Sequence, residues 1–194
     1  MGPFAEPLLR GLSMDAFFGI QLAVQSPPGD PWRSQLRELV RRHQRDLRIA
    51  DQRVLYGALA NLLHDALPRA ALGYWDFVAD GAGEYADWVK GLEDDSLETW
   101  APDHGAQNDH VLATAVFLLP QDQPSAMLVG ERCDLPESTW MHRATFAHLL
   151  ETLTMLRFRS VRSDAVYVTP GGPDLAFSLR ELQGKGYEYL LPIA

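Results

Sequence analysis

His110 to Leu119 reads HVLATAVFLL, with apolar side chains at even and odd positions alike. A strand covered on one side alternates apolar with polar residues, whereas a run apolar in both registers belongs inside a sheet covered on both faces. This run is therefore read as the central strand, and the chain after it as the rest of a sheet with a helix. Pro120-Gln121-Asp122-Gln123-Pro124 reads as the loop of an antiparallel hairpin, with a second strand near Ala126 to Glu131. Pro136 and Ser138 introduce a helix to about Leu156 that turns Phe146, Leu149, Leu150, Leu153 and Leu156 inward. Ala165 to Thr169 (AVYVT) is a further strand, stopped by Pro170-Gly171-Gly172-Pro173, which cannot continue a ladder. A short helix near Leu179 to Gln183 and an apolar tail from Tyr187 to Ile193 close the chain.

Upstream, Phe18, Ile20, Leu22 and Val24 alternate with Gly19, Gln21, Ala23 and Gln25, the period of a half-buried strand over 17–25. Ser26-Pro27-Pro28-Gly29 breaks it, and Asp30 before Pro31 forms an N-cap with proline at the first helical position. The helix that follows runs to about Leu47 with Trp32, Leu36, Leu39, Val40, His43 and Leu47 as its stripe. A second helix starts at about Asp51, carries Val54, Leu55, Ala58, Leu59, Leu62, Leu63 and Ala66, and ends at Leu67-Pro68. Leu72 to Val78 is an aromatic segment of ambiguous period, Glu84 to Leu92 a short helix, and Glu93 to Gln107 an acidic loop.

These elements predict an α+β fold: a mixed, largely antiparallel sheet of about four strands packed against helices, with an N-terminal helical pair. With 194 residues, 46% hydrophobic and 22% charged, the chain suits a single domain over 1–194. Its helix-rich part is expected at 30–100, and its sheet-forming part at 110–194 together with the strand 17–25. Cys133 is the single cysteine, which excludes an intramolecular disulfide and a cysteine-only zinc site and fits a reducing compartment, so a cytoplasmic location is expected. Glu6 and Asp15 interrupt the apolar residues of Met1 to Gln25, and neither a signal peptide nor a membrane span is read there.

The net charge of −9 is unevenly placed. From Asp76 to Asp109 there are ten acids against Lys90 alone, which matches the whole excess. From Arg33 to Arg53, seven arginines face only Glu38, Asp46 and Asp51. An acidic chain lacks the phosphate-neutralising surface that general nucleic-acid binding needs, so no nucleic-acid partner is expected.

Leu62-Leu63-His64 followed by Tyr74-Trp75, the strand His110 to Leu119, the helix Thr145 to Leu156 and the strand ending Val168-Thr169-Pro170 recur in a known order. With Leu179 to Leu182 and Tyr187 to Ile193, this order resembles the domain of unknown function 1517 family of cyanobacteria, chloroplasts and other bacteria. The resemblance spans the chain from about Phe17 onward and implies a bacterial-type α+β domain. That family has no assigned catalytic residues, and its members often carry a membrane anchor that has no counterpart here.

Candidate sites are few. Asp103-His104 and Asp109-His110 supply carboxylate and imidazole ligands suited to a divalent transition metal, although the spacing matches no standard zinc motif. They would serve a metal-assisted hydrolase, the enzymatic alternative; otherwise no cofactor is expected. Cys133 would act as a nucleophile only with a base such as His142 or His148 beside it, and it lacks nucleophile-elbow glycines. Arg33, Arg37, Arg41 and Arg45 recur every fourth residue, so a straight helix would present them as a basic row. The five tryptophans are core residues by default, but Trp88 and Trp100 stand among acids, a composition shared with protein-binding hot spots. No phosphate-cradling glycine loop and no nucleophile motif occurs. The reading is therefore a non-enzymatic adaptor or scaffold that binds a protein partner through Arg33, Arg37, Arg41, Arg45, Trp88 and Trp100. Self-association through the edge strand Ala126 to Glu131 is a further expectation.

Overall fold

The computed structural model describes residues 14–45, 48–96, 108–172, 174–184 and 186–194, with the backbone alone at 94–96. The strands are β1 (Asp15–Gln25), β2 (Ala70–Val78), β3 (Asn108–Pro120), β4 (Ser163–Thr169), β5 (Phe177–Ser178) and β6 (Leu191–Pro192). The helices are α1 (Pro31–His43), α2 (Ile49–Ala66), α3 (Ala82–Ser96), α4 (Pro124–Cys133) and α5 (Arg143–Met155). One sheet has the order β4-β3-β1-β2-β6, and β5 continues beyond β4 along the same edge of β3. The class is α+β as expected. The sheet has six strands rather than four, and every described pairing is antiparallel rather than mixed.

β3 is interior and buried on both faces, as HVLATAVFLL demands. β1 is interior too, and here the half-buried expectation fails: Asp15 to Val24 are all buried. Ala16, Phe18, Ile20, Leu22 and Val24 face the main core, built with residues of α1, α2, α4 and α5. The alternate residues face a second layer made by α3 and the C-terminal segment. There Phe17, Val116 and Ala165 pack with Trp88 and Val89, and Ala23, Leu72 and Leu112 pack with Phe177, Leu182 and Leu190. The small side chains of Gly19 and Ala23 let that layer approach, which is why β1 reads as half-buried in sequence. Gly19 lies directly under Trp88, and an added Cβ would sit 2.8 Å from its ring.

The cap of α1 forms as expected, Asp30 accepting from the Trp32 amide at 2.9 Å. The expected N-terminal helical pair is not matched: among the described residues β1 comes first, and α1 and α2 both belong to the main helical layer. α1 stops at His43, and α2 starts at Ile49 rather than Asp51. The aromatic segment at 72–78 is β2, a strand inside the span read as helix-rich.

The expected hairpin is replaced by a helix: Ala126 to Glu131 belongs to α4. Pro124 occupies its first turn, where proline has no lost hydrogen bond, and Ser125, Ala126 and Val129 are buried at helical spacing. No sheet edge exists there for self-association. No helix among the described residues is long and apolar enough to cross a membrane.

A candidate acidic and aromatic cleft

The second face of the sheet carries a row set by strand register. Tyr74 of β2 pairs with Gln21 of β1, Gln21 with Thr114 of β3, and Thr114 with Tyr167 of β4. Four side chains with polar ends therefore lie across the sheet, between the cluster around Phe17 and Val116 and the cluster around Leu72 and Phe177. Gln21 and Thr114 are fully buried, and the Gln21 amide donates to Thr114 Oγ1 at 3.0 Å. Gln21 Oε1 finds no donor among the described residues. A buried carbonyl without a donor loses its hydration with nothing in return, so its position calls for a reason.

Over this row α3 is held by its own periodicity. Tyr85, Trp88, Val89 and Leu92 fall on one side of the helix and face the sheet. Gly81 precedes α3, its amide donating to Asp15 O at 2.8 Å, and a Cβ there would overlap the Phe17 backbone. Trp88 lies 5.1 Å from Phe17 and stacks on Tyr74 at 5.7 Å, and Tyr189 meets Tyr74 edge-on at 5.4 Å. Between α3, β1, β2 and the C-terminal segment a cleft of about 570 Å³ remains, with Gln21 at its floor. Tyr74, Trp88 and Tyr189 form its apolar walls, and Glu84 and Asp87 its charged lining.

The electrostatics of the cleft have one sign. Glu84 Oε1 accepts the Trp88 indole N–H at 2.9 Å, which fixes the ring. Burial raises the Asp76 carboxyl above its ordinary value and Glu84 adds to the rise, against the Phe77 amide and the Tyr74 hydroxyl that both favour the ionised form. Burial likewise raises the Tyr74 hydroxyl, with Asp76 and Glu84 contributing. Carboxylates thus flank partly exposed ring surface, an arrangement that accepts hydrogen bonds and favours positive charge.

The residues singled out in the sequence are dispersed. Arg33 is buried and donates to Ser26 O and, at 3.2 Å, to Leu175 O; burial lowers its pKa. Arg37 donates to Gly171 O, Gly172 O and, at 3.0 Å, Pro170 O. These two arginines hold the loop after β4. Arg41 pairs with Glu38 at 2.7 Å on the surface, and Arg45 is exposed beyond the end of α1. A continuous basic row is therefore absent, since two of its members point into the fold and one lies off the helix. α1 and the acidic α3 pack on opposite faces of the sheet, so they do not neutralise each other.

Trp100, Asp103 and His104 lie outside the described residues. Asp109 and His110 are buried, His110 Nδ1 lying 2.8 Å from Asp109 Oδ1 while Asp109 Oδ2 accepts the Gln25 amide at 2.7 Å. Burial lowers the His110 pKa against the pull of Asp109. No group of three metal-binding side chains occurs among the described residues. The Cys133 thiol is pushed up to about 12 by burial and the Asp76 charge, the reverse of what a nucleophile needs. Trp140, a default core residue, is exposed; its indole donates to Leu135 O and its ring meets Trp75 edge-on.

Of the cleft residues, only Trp88 was marked in sequence as a binding residue. Tyr74 and Tyr189 enter only through the strings of the resemblance, Glu84 and Asp87 only as members of the acidic segment, and Gln21 only as a glutamine in the middle of an apolar strand. Comparison of the chain with protein-family models, curated proteins and solved structures returns no significant match. The resemblance described above accordingly rests on the strings quoted there.

Proposed function

We propose that this chain is a non-enzymatic interaction module that docks a protein partner through the α3 face of its sheet. The observation that carries this reading is Trp88, a partly exposed ring seated beside Glu84 and Asp87 at the wall of an acceptor-lined cleft. A large aromatic anchor beside an apolar recess with a polar rim is the composition of an interface hot spot. The acids of α3 add long-range attraction for a partner of opposite charge. Trp88 and the acidic segment remain in this reading, and the arginine row leaves it, because Arg33 and Arg37 serve the loop after β4.

The test is affinity capture with the native chain, a Glu84→Lys/Asp87→Lys variant, and an Arg41→Glu/Arg45→Glu variant reversed on the other face. Partners lost with the first variant and retained with the second support the docking face. Identical recovery with all three proteins removes it.

A further inference from the structure

The cleft has a floor that its walls do not explain. Gln21 sits in the middle of an interior strand, 3% exposed, where an apolar residue would join the two flanking clusters into one. Its amide nitrogen is engaged by Thr114, Oε1 is left buried and without a donor among the described residues, and the side chain lines the base of the recess. Above it stand the rings of Trp88 and Tyr189, and at the mouth the carboxylates of Glu84 and Asp87. The Glu84 and Asp87 carboxylates accept hydrogen bonds, and the like charges of Glu84 and the nearby Asp76 oppose one another. A ligand that satisfies all of these carries N–H donors, a positive charge and an alkyl stem to lie against the rings.

Resting on the docking face proposed above, we infer that the cleft receives a lysine or arginine side chain of the partner. Gln21 Oε1 accepts from its head group, Trp88 and Tyr189 cover its stem, and Glu84 and Asp87 balance its charge. An anionic or purely apolar side chain would leave Oε1 unpaired and bring no compensation to the acids.

The test uses the full chain labelled with nitrogen-15, whose five indole N–H signals are assigned by single Trp→Phe substitutions. The probes are Nα-acetyl-arginine methylamide, Nα-acetyl-lysine methylamide, the uncharged Nα-acetyl-norleucine methylamide and the free amine agmatine. The expected result is a saturable shift of the Trp88 indole with at least one charged amide and none with norleucine, the tighter amide naming the residue. Gln21→Leu and Glu84→Gln should each weaken that binding by about tenfold or more, the scale of a lost hydrogen bond to a charged group. If Gln21→Leu fails to fold, Glu84→Gln carries the same comparison from the helix surface.

No saturable shift with either charged amide, or an equal shift with norleucine, overturns the assignment. Agmatine binding tenfold tighter than both amides also overturns it, by making the occupant a free amine. Partner capture that is still lost on reversing Glu84 and Asp87, without amide binding, would sink this inference and leave the docking face standing. Capture that survives the reversal sinks both.

Discussion

Replacing Gln21 and Thr114 together by Leu and Val should stabilise the protein. The two residues are 3% and 1% exposed, are register partners on β1 and β3, and share one hydrogen bond of 3.0 Å. Leaving Oε1 buried without a donor costs about 1–3 kcal/mol, and the Gln–Thr bond contributes a net of about 1 kcal/mol. The double change removes both terms and adds apolar contact with Ala23, Leu112 and Val116 worth about 1 kcal/mol. The sum is a gain of about 2 kcal/mol, which at this chain length raises Tm by about 4–8 °C. Thr114→Val alone should instead lose about 1–3 kcal/mol, because it leaves the Gln21 amide nitrogen unpaired as well. Urea denaturation followed by circular dichroism, with an unchanged m-value, measures all three proteins. A double variant less stable than the native chain would refute the reasoning: Oε1 would then be satisfied in solution, and the cleft would lose the group that points to a donor ligand. Raised stability together with lost amide binding is the signature of a polar group retained for recognition.

Other consequences follow from the buried charges. Arg33→Met leaves the Ser26 and Leu175 carbonyls without their donor, and should lower the urea-derived stability by about 3 kcal/mol; a loss under 1 kcal/mol would mean that the loop after β4 is held by other contacts. Asp76 has a folded-state pKa raised above its unfolded value, so its contribution to stability is full below the ordinary carboxylate range and is lost as pH rises through the folded pKa. Asp76→Asn should therefore be more stable than the native chain at pH 7, with the difference shrinking as pH falls toward 4; a difference that grows on acidification would reverse the sign of the shift. With its thiol at about 12, Cys133 should react with iodoacetamide at pH 8 far more slowly in the native chain than in urea, and equal rates in mass spectrometry would contradict the raised pKa of this half-buried thiol.

Much of the framework was legible from residues alone. The apolar run of β3, the Asp30-Pro31 start of α1 and the stop after β4 each depend on local preferences that the fold did not override, whereas the stripe of α2 held only in part, since Val54 and Ala58 are exposed and Tyr56 and Ala60 are buried. Two segments misled for opposite reasons. Pro124 suits a turn and a helix start equally, and only the burial of Ser125, Ala126 and Val129 chooses the helix. Leu72 to Val78 is too aromatic for its period to decide, and it becomes a strand because β1 offers it a ladder from Phe17 to Val24. The arginine row was correctly spaced and wrongly placed. Spacing says which residues share a side of a helix, but not whether that side meets water or the carbonyls of a distant loop.

By itself the sequence determined which segments are apolar enough to be interior, where α1 begins, and that the negative charge is concentrated around α3. Those are properties of residues and their immediate neighbours, and they survive any arrangement of the elements. Tertiary structure decided which positions stand side by side. Strand pairing brings Tyr74, Gln21, Thr114 and Tyr167, drawn from four separate strands, into a single row, and packing lays Trp88 and its acids over it. The cleft exists only through that registration, since a shift of one residue in β1 would turn Gln21 into the main core and put Ile20 or Leu22 in its place.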